Sequence, residues 1–148
     1  MKVRDAMTSD PVCCLTTDSA QKVAGILRKQ GVGSIPVVTD QESRKLTGII
    51  TDRDLCCSVV ANGLNSQSTP IEKFISRNPV ACREGESLDN CERLMQEHKV
   101  RRVPVVDGDG RVIGIVSQAD LALKDEPEKV AKTVAEVSKP PSSAPAAA

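Results

Sequence analysis

The sequence predicts an α/β (α+β) protein in which two copies of one unit pack about a pseudo-twofold axis. The first observation behind this prediction is an internal repeat. Three blocks of the first half recur in the same order in the second half, two of them 68 residues further along and the third 66 residues further along. The matching blocks are Met7–Val12 with Ile75–Val80, Ile35–Val38 with Val103–Val106, and Gly48–Leu55 with Gly114–Leu121. Such a repeat indicates a duplicated structural unit, with two extra residues in the turn 40–45 of the first copy.

Size and apolar content are the second and third observations. The chain has 148 residues, of which 39% are hydrophobic, and this suffices for one ordinary globular unit. A single copy of about 60 residues would bury too little apolar surface to be stable alone. We therefore expect the two copies to share a core, sheet against sheet.

The first copy reads as strand, helix, strand, strand, helix. A short strand over 12–15 precedes the polar cap Asp18-Ser19, and an amphipathic helix follows with Val23 and Leu27 on its apolar face. Gly31 ends this helix, where a left-handed residue is expected. Strands over 35–38 and 47–50 come next, and the second of them runs into a helix over 52–60.

The second copy repeats this order. A strand over 80–83 precedes the cap Glu86-Ser87, and a helix follows with Leu88, Cys91 and Met95 on one face. The Asp107–Gly110 stretch predicts a hairpin turn between strands over 103–106 and 112–116. A last helix is predicted over 118–124.

The repeat also divides the chain. The first copy spans 1–62, a polar linker spans 63–69, and the second copy spans 70–125. Beyond them, Val130, Val134 and Val137 stand at helical spacing, which predicts a short amphipathic helix within 126–138 that docks on the body or on a partner. The segment 139–148, made mostly of Pro, Ser and Ala, is predicted to be disordered.

Charge and thiol content limit the class of protein. Twenty basic and twenty acidic residues balance, which argues against non-specific nucleic-acid binding, and no Trp or Tyr offers a platform for bases. The N-terminus lacks an apolar signal segment, and no run approaches the roughly 18 apolar residues of a membrane span. Six cysteines without a disulfide-like pattern then favour a cytoplasmic protein with reduced thiols.

Each copy carries one chemically informative motif, Gly-apolar-apolar-[Thr/Ser]-x-x-Asp, where its last strand enters its last helix. The hydroxyl residue, Thr51 or Ser117, stands at the helix N-cap, and the acid, Asp54 or Asp120, lies one turn later. One interpretation is a capping box, worth about 1 kcal/mol per interaction. The other is an anion site formed by free N–H groups and the hydroxyl, with the acid accepting hydrogen bonds from a ribose.

With these motifs the repeats resemble a tandem pair of CBS domains, the Bateman module named after cystathionine beta-synthase. The resemblance covers residues 1–125 and rests on three patterns, each present twice: [Met/Ile]-x-x-x-Pro-Val, [Ile/Val]-Pro-Val-Val, and Gly-Ile-[Ile/Val]-[Thr/Ser]-x-x-Asp-Leu. It implies a regulatory module that binds AMP, ADP, ATP or S-adenosylmethionine in clefts between two sheets. It also implies a homodimer formed through the helices.

Carried over by position, each implied cleft mixes the two repeats. In the first cleft, the residues that contact the base come from the first copy, and those that contact the phosphate and ribose come from the second. In the second cleft the two copies exchange these roles. The first cleft comprises Met7, Val12, Val32, Arg101, Arg102, Ser117 and Asp120. The second cleft comprises Ile75, Val80, Val100, Gly33, Ser34, Thr51 and Asp54. With so few aromatic residues, we expect a base to be held between aliphatic side chains such as Val12 and Val32.

The two implied clefts differ in charge. Arg101-Arg102 stands where the first copy has Gly33-Ser34. Two guanidinium groups suit a phosphate, whereas Gly-Ser offers only backbone and a hydroxyl. We expect the arginine-bearing cleft to bind a nucleotide phosphate, and the other to be weaker, empty or occupied by an uncharged adenosyl group. The alternative interpretation of the arginines is a solvated pair after a helix.

Enzymatic and metal-binding sets are lacking in the sequence. His98 is the only histidine, at an expected exposed helix end, so no Ser-His-Asp triad can be assembled, and no Walker-type loop or clustered metal ligands occur. No Cys-x-x-Cys motif supports a metal or redox role. The cysteines are interpreted as buried packing residues: Cys13, Cys14, Cys56, Cys57, Cys82 and Cys91.

The sequence therefore favours a non-catalytic module that needs no cofactor, senses an adenine nucleotide or other adenosyl ligand, and signals to an unknown regulated protein. The signal would be a change of conformation or dimer geometry. The alternative is a ligand-free scaffold for dimerisation and docking to an enzyme or transporter. A thiol-based redox protein is a third hypothesis.

Overall fold

A computed structural model describes residues 1–140. It contains two four-stranded sheets with helices packed against them. The elements in chain order are α1 (Val3–Ala6), β1 (Thr8–Ser9), β2 (Cys14–Leu15), α2 (Ala20–Gln30), β3 (Ser34–Val38), β4 (Leu46–Thr51), α3 (Asp52–Leu55), β5 (Ser76–Arg77), β6 (Cys82–Arg83), α4 (Leu88–His98), β7 (Arg102–Val106), β8 (Val112–Ser117), α5 (Gln118–Lys124) and α6 (Pro127–Ser138). Within these residues no helix is both long and apolar enough to cross a membrane.

The predicted helix boundaries are reproduced by the caps. The Ser19 hydroxyl accepts a hydrogen bond from the Lys22 N–H at 3.1 Å at the start of α2, and Gly31 ends the helix at φ +65°. Ser87 caps α4 in the same way. Lys99 ends α4 at φ +55°, a left-handed conformation that disfavours a lysine.

Each sheet contains one short strand from the other repeat. Sheet I has the order β2-β3-β4-β5 and sheet II the order β1-β8-β7-β6. β5 comes from the second copy and pairs antiparallel with β4, with Arg77 opposite Gly48. β1 comes from the first copy and pairs antiparallel with β8, with Ser9 opposite Gly114. The repeats are therefore joined by a reciprocal exchange of strands.

The exchange extends into the two cores. Ile71, fully buried in a 3₁₀ turn before β5, and Ile75 pack in the core beneath sheet I. Val3 and Ala6 of α1 pack in the core beneath sheet II. Sequence patterns did not predict α1, β1 or β5, because two-residue strands and a four-residue helix are too short to show a period.

The helix predicted over 52–60 is not uniform. Only α3, Asp52–Leu55, is α-helical, and the chain continues as a π-helix over Cys56–Val60. The Ala61 N–H donates to the Cys56 carbonyl at 2.9 Å, the five-residue spacing of that wider turn. This turn buries Val59 and leaves Cys56 and Cys57 exposed.

A further helix, α6, occupies most of the segment 126–138 and packs on α4 and α5. Its Thr133 and Val137 are buried, and Val130 is half-buried against the core beneath sheet II. The predicted disordered segment 139–148 lies outside the described residues from position 141 onward.

Candidate functional site

A cavity of about 550 Å³ lies between the repeats, where β3 and β7 begin and β4 ends. Residues of both copies and the exchanged strand β5 form its walls. The lining residues are Gly33, Ser34, Ile49, Thr51, Asp52, Arg53, Ser76, Arg77, Asn78, Pro79, Val80, His98, Lys99, Val100, Arg101, Arg102 and Pro104.

Part of the lining is apolar and aliphatic. Ile49 comes from β4, Pro79 and Val80 from the segment between β5 and β6, and Val100 from the loop after α4. Val80 and Val100 are half-buried, so their side chains still present surface to the cavity. Such walls suit the faces of a purine ring. No Phe, Tyr or Trp lines the site, and the imidazole of His98 is its one aromatic ring among the described residues.

Basic side chains dominate the charged part of the lining. Four arginines and Lys99 line the cavity, against one acid, Asp52. The Lys99 amine donates to the Glu136 carbonyl at 2.5 Å and so is engaged by α6. Within residues 1–140, no carboxylate lies within 4.0 Å of the guanidinium of Arg53, Arg101 or Arg102. These three groups are available to an anion.

Gly33 and Ser34 shape the cavity beside Arg102. A Cβ atom at Gly33 would stand 3.3 Å from Arg102 Nη1 and 3.3 Å from Asp52 Oδ2, so glycine leaves room for the guanidinium. Ser34 is only 4% exposed, and its hydroxyl has no hydrogen-bond partner among the described residues. A buried hydroxyl without a partner costs about 1–3 kcal/mol, which a ligand in the cavity would recover.

The first helix-start motif forms the predicted capping box. The Thr51 N–H donates to Asp54 Oδ2 at 2.9 Å, and the Asp54 N–H donates to Thr51 Oγ1 at 3.0 Å. The two intervening amides are also used: Asp52 donates to the Gly33 carbonyl and Arg53 to Asp52 Oδ1. Because these backbone N–H groups already have acceptors, the structure favours the capping interpretation of this motif over the anion-site interpretation. The groups left to bind an anion are the guanidinium groups of the arginines.

The second motif forms the same box. The Ser117 N–H donates to Asp120 Oδ2 at 2.8 Å, and the Asp120 N–H donates to Ser117 Oγ at 3.2 Å. The Thr8 hydroxyl of the exchanged strand β1 donates to Asp120 Oδ1 at 3.2 Å. This carboxylate therefore also ties the two repeats together.

The cavity collects most of the second predicted cleft. Five of its seven residues line the cavity: Val80, Val100, Gly33, Ser34 and Thr51. The other two lie elsewhere, Ile75 in the core beneath sheet I and Asp54 in its capping box.

The first predicted cleft is divided. Arg101 and Arg102 line the same cavity as the second set, so the structure groups the arginine pair with Gly33 and Ser34 rather than opposite them. Met7 packs against the core beneath sheet II, with its sulfur over Gly114. Val12 and Val32 are 40% and 39% exposed, and Val12 lines a separate cavity of about 410 Å³. Ser117 and Asp120 form the second capping box.

Several lining residues were not predicted. Ser76–Asn78 lie between the motif residues Ile75 and Pro79, and Asp52-Arg53 lie between Thr51 and Asp54, so the motif spacing itself was a usable signal. His98 is exposed at the end of α4, as predicted. His98 and Lys99 also line the cavity, because α4 ends there. The position of these two residues at the cavity depends on how α4 packs, which the sequence pattern does not indicate.

The cysteine interpretation is partly wrong. Cys13, Cys14, Cys82 and Cys91 are buried, and burial raises the pKa of the Cys14 thiol to about 12. Cys56 and Cys57 are exposed, and all six thiols are free in the described residues. No group of three or more His, Cys, Asp or Glu side chains within 1–140 is placed to hold a metal ion.

Comparison with known proteins adds to this geometry. A family model described as "CBS domain" matches residues 3–60 and again 71–125. The CBS domain-containing protein YhcV of Bacillus subtilis is 35% identical over 121 residues, which are 82% of this chain and 83% of that protein.

Two solved structures share the fold. The Hypoxic Response Protein I structure with two coordinated zinc ions, whose namesake in Mycobacterium tuberculosis is also a sequence relative, has a TM-score of 0.76 and 28% identity, covering 85% of this chain and all of that one. The CBS domain pair of protein MJ0100 in complex with 5′-methylthioadenosine and S-adenosyl-L-methionine has a TM-score of 0.73 and 31% identity. That match covers 83% of this chain and 94% of that one.

Proposed function

The chain belongs to the CBS domain family, and from this premise we propose that it is a non-catalytic regulatory module whose inter-repeat cavity binds an adenine nucleotide. One observation carries the proposal: Arg53, Arg101 and Arg102, free of carboxylate partners within residues 1–140, line the same cavity as the buried, unpartnered Ser34 hydroxyl. An apolar wall for the base and guanidinium groups for the phosphate are thereby brought together.

The charge of the cavity favours one kind of adenosyl ligand. The MJ0100 domain pair binds 5′-methylthioadenosine, which is uncharged, and S-adenosyl-L-methionine, which carries a sulfonium cation. In this chain four arginines and one aspartate line the cavity, which opposes a cation and attracts a phosphate. We therefore propose AMP, ADP or ATP as the ligand class, ahead of S-adenosylmethionine.

The proposed signalling mechanism follows from where the cavity walls originate. Gly33 and Ser34 belong to the first repeat, Val100–Arg102 to the second, and Ser76-Arg77 to the exchanged strand. A ligand that contacts all three stabilises one relative arrangement of the two repeats. It shifts the population toward that arrangement by as much as its affinity differs between states, and a partner protein reads the result.

Replacing Arg102 by alanine tests the site. Losing one charge-assisted contact, worth about 1.5–3 kcal/mol, is expected to weaken AMP and ATP binding by roughly tenfold to a hundredfold. Binding of 5′-methylthioadenosine, which lacks a phosphate, should change little. Isothermal titration calorimetry with the three ligands measures both. Arg28→Ala is the matched control, because Arg28 is exposed on α2 and outside the cavity.

An unchanged nucleotide affinity in Arg102→Ala would remove the cavity assignment. A melting-temperature panel on the wild-type chain addresses the scaffold alternative, since a ligand at about 100 times its Kd adds about 2.7 kcal/mol of stability. No rise with any adenine nucleotide would favour the ligand-free scaffold. Heat is the suitable probe because the chain has no Trp or Tyr to report binding by fluorescence.

We further propose that the module acts as a homodimer. Val60, 72% exposed in the π-helix, and Leu123, 84% exposed on α5, are apolar side chains on the helical surface of each repeat. Burial of these two side chains against a second copy would remove apolar surface from water and so stabilise a dimer. Native mass spectrometry gives the oligomeric state and any co-purified nucleotide in one measurement.

A further inference from the structure

A buried acid lies beneath the C-terminal helix. Glu92, on α4, is only 4% exposed, and no lysine, arginine or histidine among the described residues lies within 4.0 Å of its carboxyl group. Its contact is with α6, because the hydroxyl of the fully buried Thr133 donates to Glu92 Oε2 in a short hydrogen bond. The Gln96 amide donates in turn to the Thr133 hydroxyl at 2.9 Å. The polar cluster thus joins α4 to α6.

A second carboxyl group completes this cluster. Asp125 is the C-cap residue of α5 and directly precedes Glu126, the N-cap residue of α6. Asp125 Oδ1 accepts from the Glu126 N–H at 2.8 Å. Asp125 Oδ2 and Glu92 Oε1 are buried and have no donor among residues 1–140 while both groups are ionised, but the two carboxyl groups lie close enough to hydrogen-bond when one of them carries a proton. A proton held between the two carboxyl groups satisfies both oxygens, whereas two carboxylates would repel each other there.

The pKa shifts of Glu92 and Asp125 are those expected of two carboxyl groups that share one proton. Burial, followed by the hydrogen bond with Asp125, raises the pKa of Glu92 to about 7. The same hydrogen bond holds the pKa of Asp125 below its usual value. The proton of the pair therefore belongs to Glu92.

The charged groups around the pair come from α4, α6 and the amino terminus of the chain. Asp89 of α4 raises the pKa of Glu92, while Lys129 of α6 and the chain's amino group lower that of Asp125. Lys129 contacts Asp89 at 3.0 Å and Glu126 at 3.9 Å, in exposed ion pairs. Such pairs add little stability, so they do not replace the shared proton.

Little else fixes α6 to the body. Val137 is its one buried apolar side chain among the described residues, with Val130 half-buried, while Val134 is 40% exposed. At its far end the Lys99 amine donates to the Glu136 carbonyl. Docking of α6 therefore depends strongly on the buried polar cluster.

We propose that α6 is a pH-sensitive latch on the second repeat, docked while Glu92 and Asp125 share a proton and released when that proton is lost. A group whose pKa is raised in the docked state favours docking at low pH and loses that contribution as pH rises through the raised pKa. Docking of α6 should thus weaken between slightly acidic and slightly alkaline pH. Release uncovers the α4 surface around Glu92 for a partner. The latch does not depend on any ligand in the cavity.

Amide hydrogen exchange of the full chain, followed by NMR, tests the latch. Protection factors corrected for intrinsic exchange are expected to fall roughly tenfold or more across α6 between about pH 5.5 and about pH 8.5. Amides of α2 in the first repeat serve as the internal reference and should keep their protection. In Glu92→Gln, whose neutral amide replaces the protonated acid, α6 should stay protected at both pH values.

Two further variants complete the design. Asp125→Asn supplies an amide donor to the Glu92 carboxylate and should also keep α6 protected at the higher pH, even if Glu92→Gln fails to fold. Glu128→Gln removes an exposed acid of α6 and should behave as wild type. The proposal is overturned if wild-type α6 protection does not change with pH, if α2 loses protection in parallel, or if the Glu92 and Asp125 variants keep the wild-type pH dependence.

Discussion

Replacing Ile71 by alanine is expected to lower the free energy of unfolding by about 2–5 kcal/mol, the usual cost of removing a large aliphatic side chain from a packed core. Ile71 lies in the second half of the chain but is fully buried in the core beneath sheet I. Its N–H donates to the Asp18 carbonyl at 3.0 Å, which fixes the segment before β5 on the first repeat. Urea unfolding followed by circular dichroism measures the change.

Val3→Ala is the matched variant, because Val3 stands 68 residues before Ile71 and fills the same place in the core beneath sheet II. It removes fewer atoms, so a smaller loss is expected. Leu64→Ala is the control, since Leu64 is 43% exposed in the linker and should change stability by less than about 0.5 kcal/mol. A loss below about 1 kcal/mol in Ile71→Ala would contradict the exchange of segments between the repeats.

Gly48→Ala is expected to destabilise the protein by about 1–3 kcal/mol, through overpacking at the exchanged strand. A Cβ atom at Gly48 would stand 2.7 Å from the Ser76 carbonyl oxygen and 3.0 Å from Ile75 Cδ1. The nearest atom belongs to the backbone of the paired strand and cannot rotate away. The steric overlap can be relieved only if β5 moves away from β4.

The repeat supplies the comparison for this variant. At Gly114 a Cβ atom would meet Met7, whose flexible thioether can turn aside, although the Thr8 carbonyl at 3.2 Å still limits the space. We therefore expect Gly114→Ala to cost less than Gly48→Ala in the same unfolding experiment. The Gly48 variant should also bind nucleotide more weakly, because β5 carries Ser76 and Arg77 into the cavity. Equal stability losses at the two glycines would show that the close approach of β5 is not the cause.

The exchange of strands has a consequence for regulation. Because each repeat completes the other's sheet and core, the two repeats cannot separate without unfolding, and a ligand can change only their relative arrangement. We expect such a change to move the helices packed on the two sheets relative to each other. This fits the proposed role of a module whose surface is read by another protein.

The family and the repeated order of elements could be predicted from the sequence because both rest on local patterns. The helix caps at Ser19 and Ser87, the left-handed Gly31 and the alternation of strands and helices are each set within a few neighbouring residues. The motif residues Thr51 and Ser117 were likewise placed correctly at the helix starts, since a capping box needs a span of four residues.

The grouping of the site residues was less predictable. Val80, Val100 and Ser34 were predicted together and do line one cavity, but Arg101 and Arg102 were predicted opposite them. Which cavity an arginine at the start of a strand enters depends on how the two sheets face each other. The hydrophobic periodicity of a sequence does not indicate the direction in which a long, flexible side chain points.

By itself, the sequence determined the duplication, the class of fold and the caps, because short-range geometry and hydrophobic period encode them. It also indicated half of the aliphatic and hydroxyl residues of the cavity, namely Val80, Val100, Ser34 and Thr51. Only the tertiary structure decided that β1 and β5 change places, that the arginine pair joins Gly33 and Ser34, and that Glu92 meets Asp125 beneath α6. These are contacts between segments far apart in the chain. Their partners are chosen by the packing of whole sheets and helices, which no local pattern records.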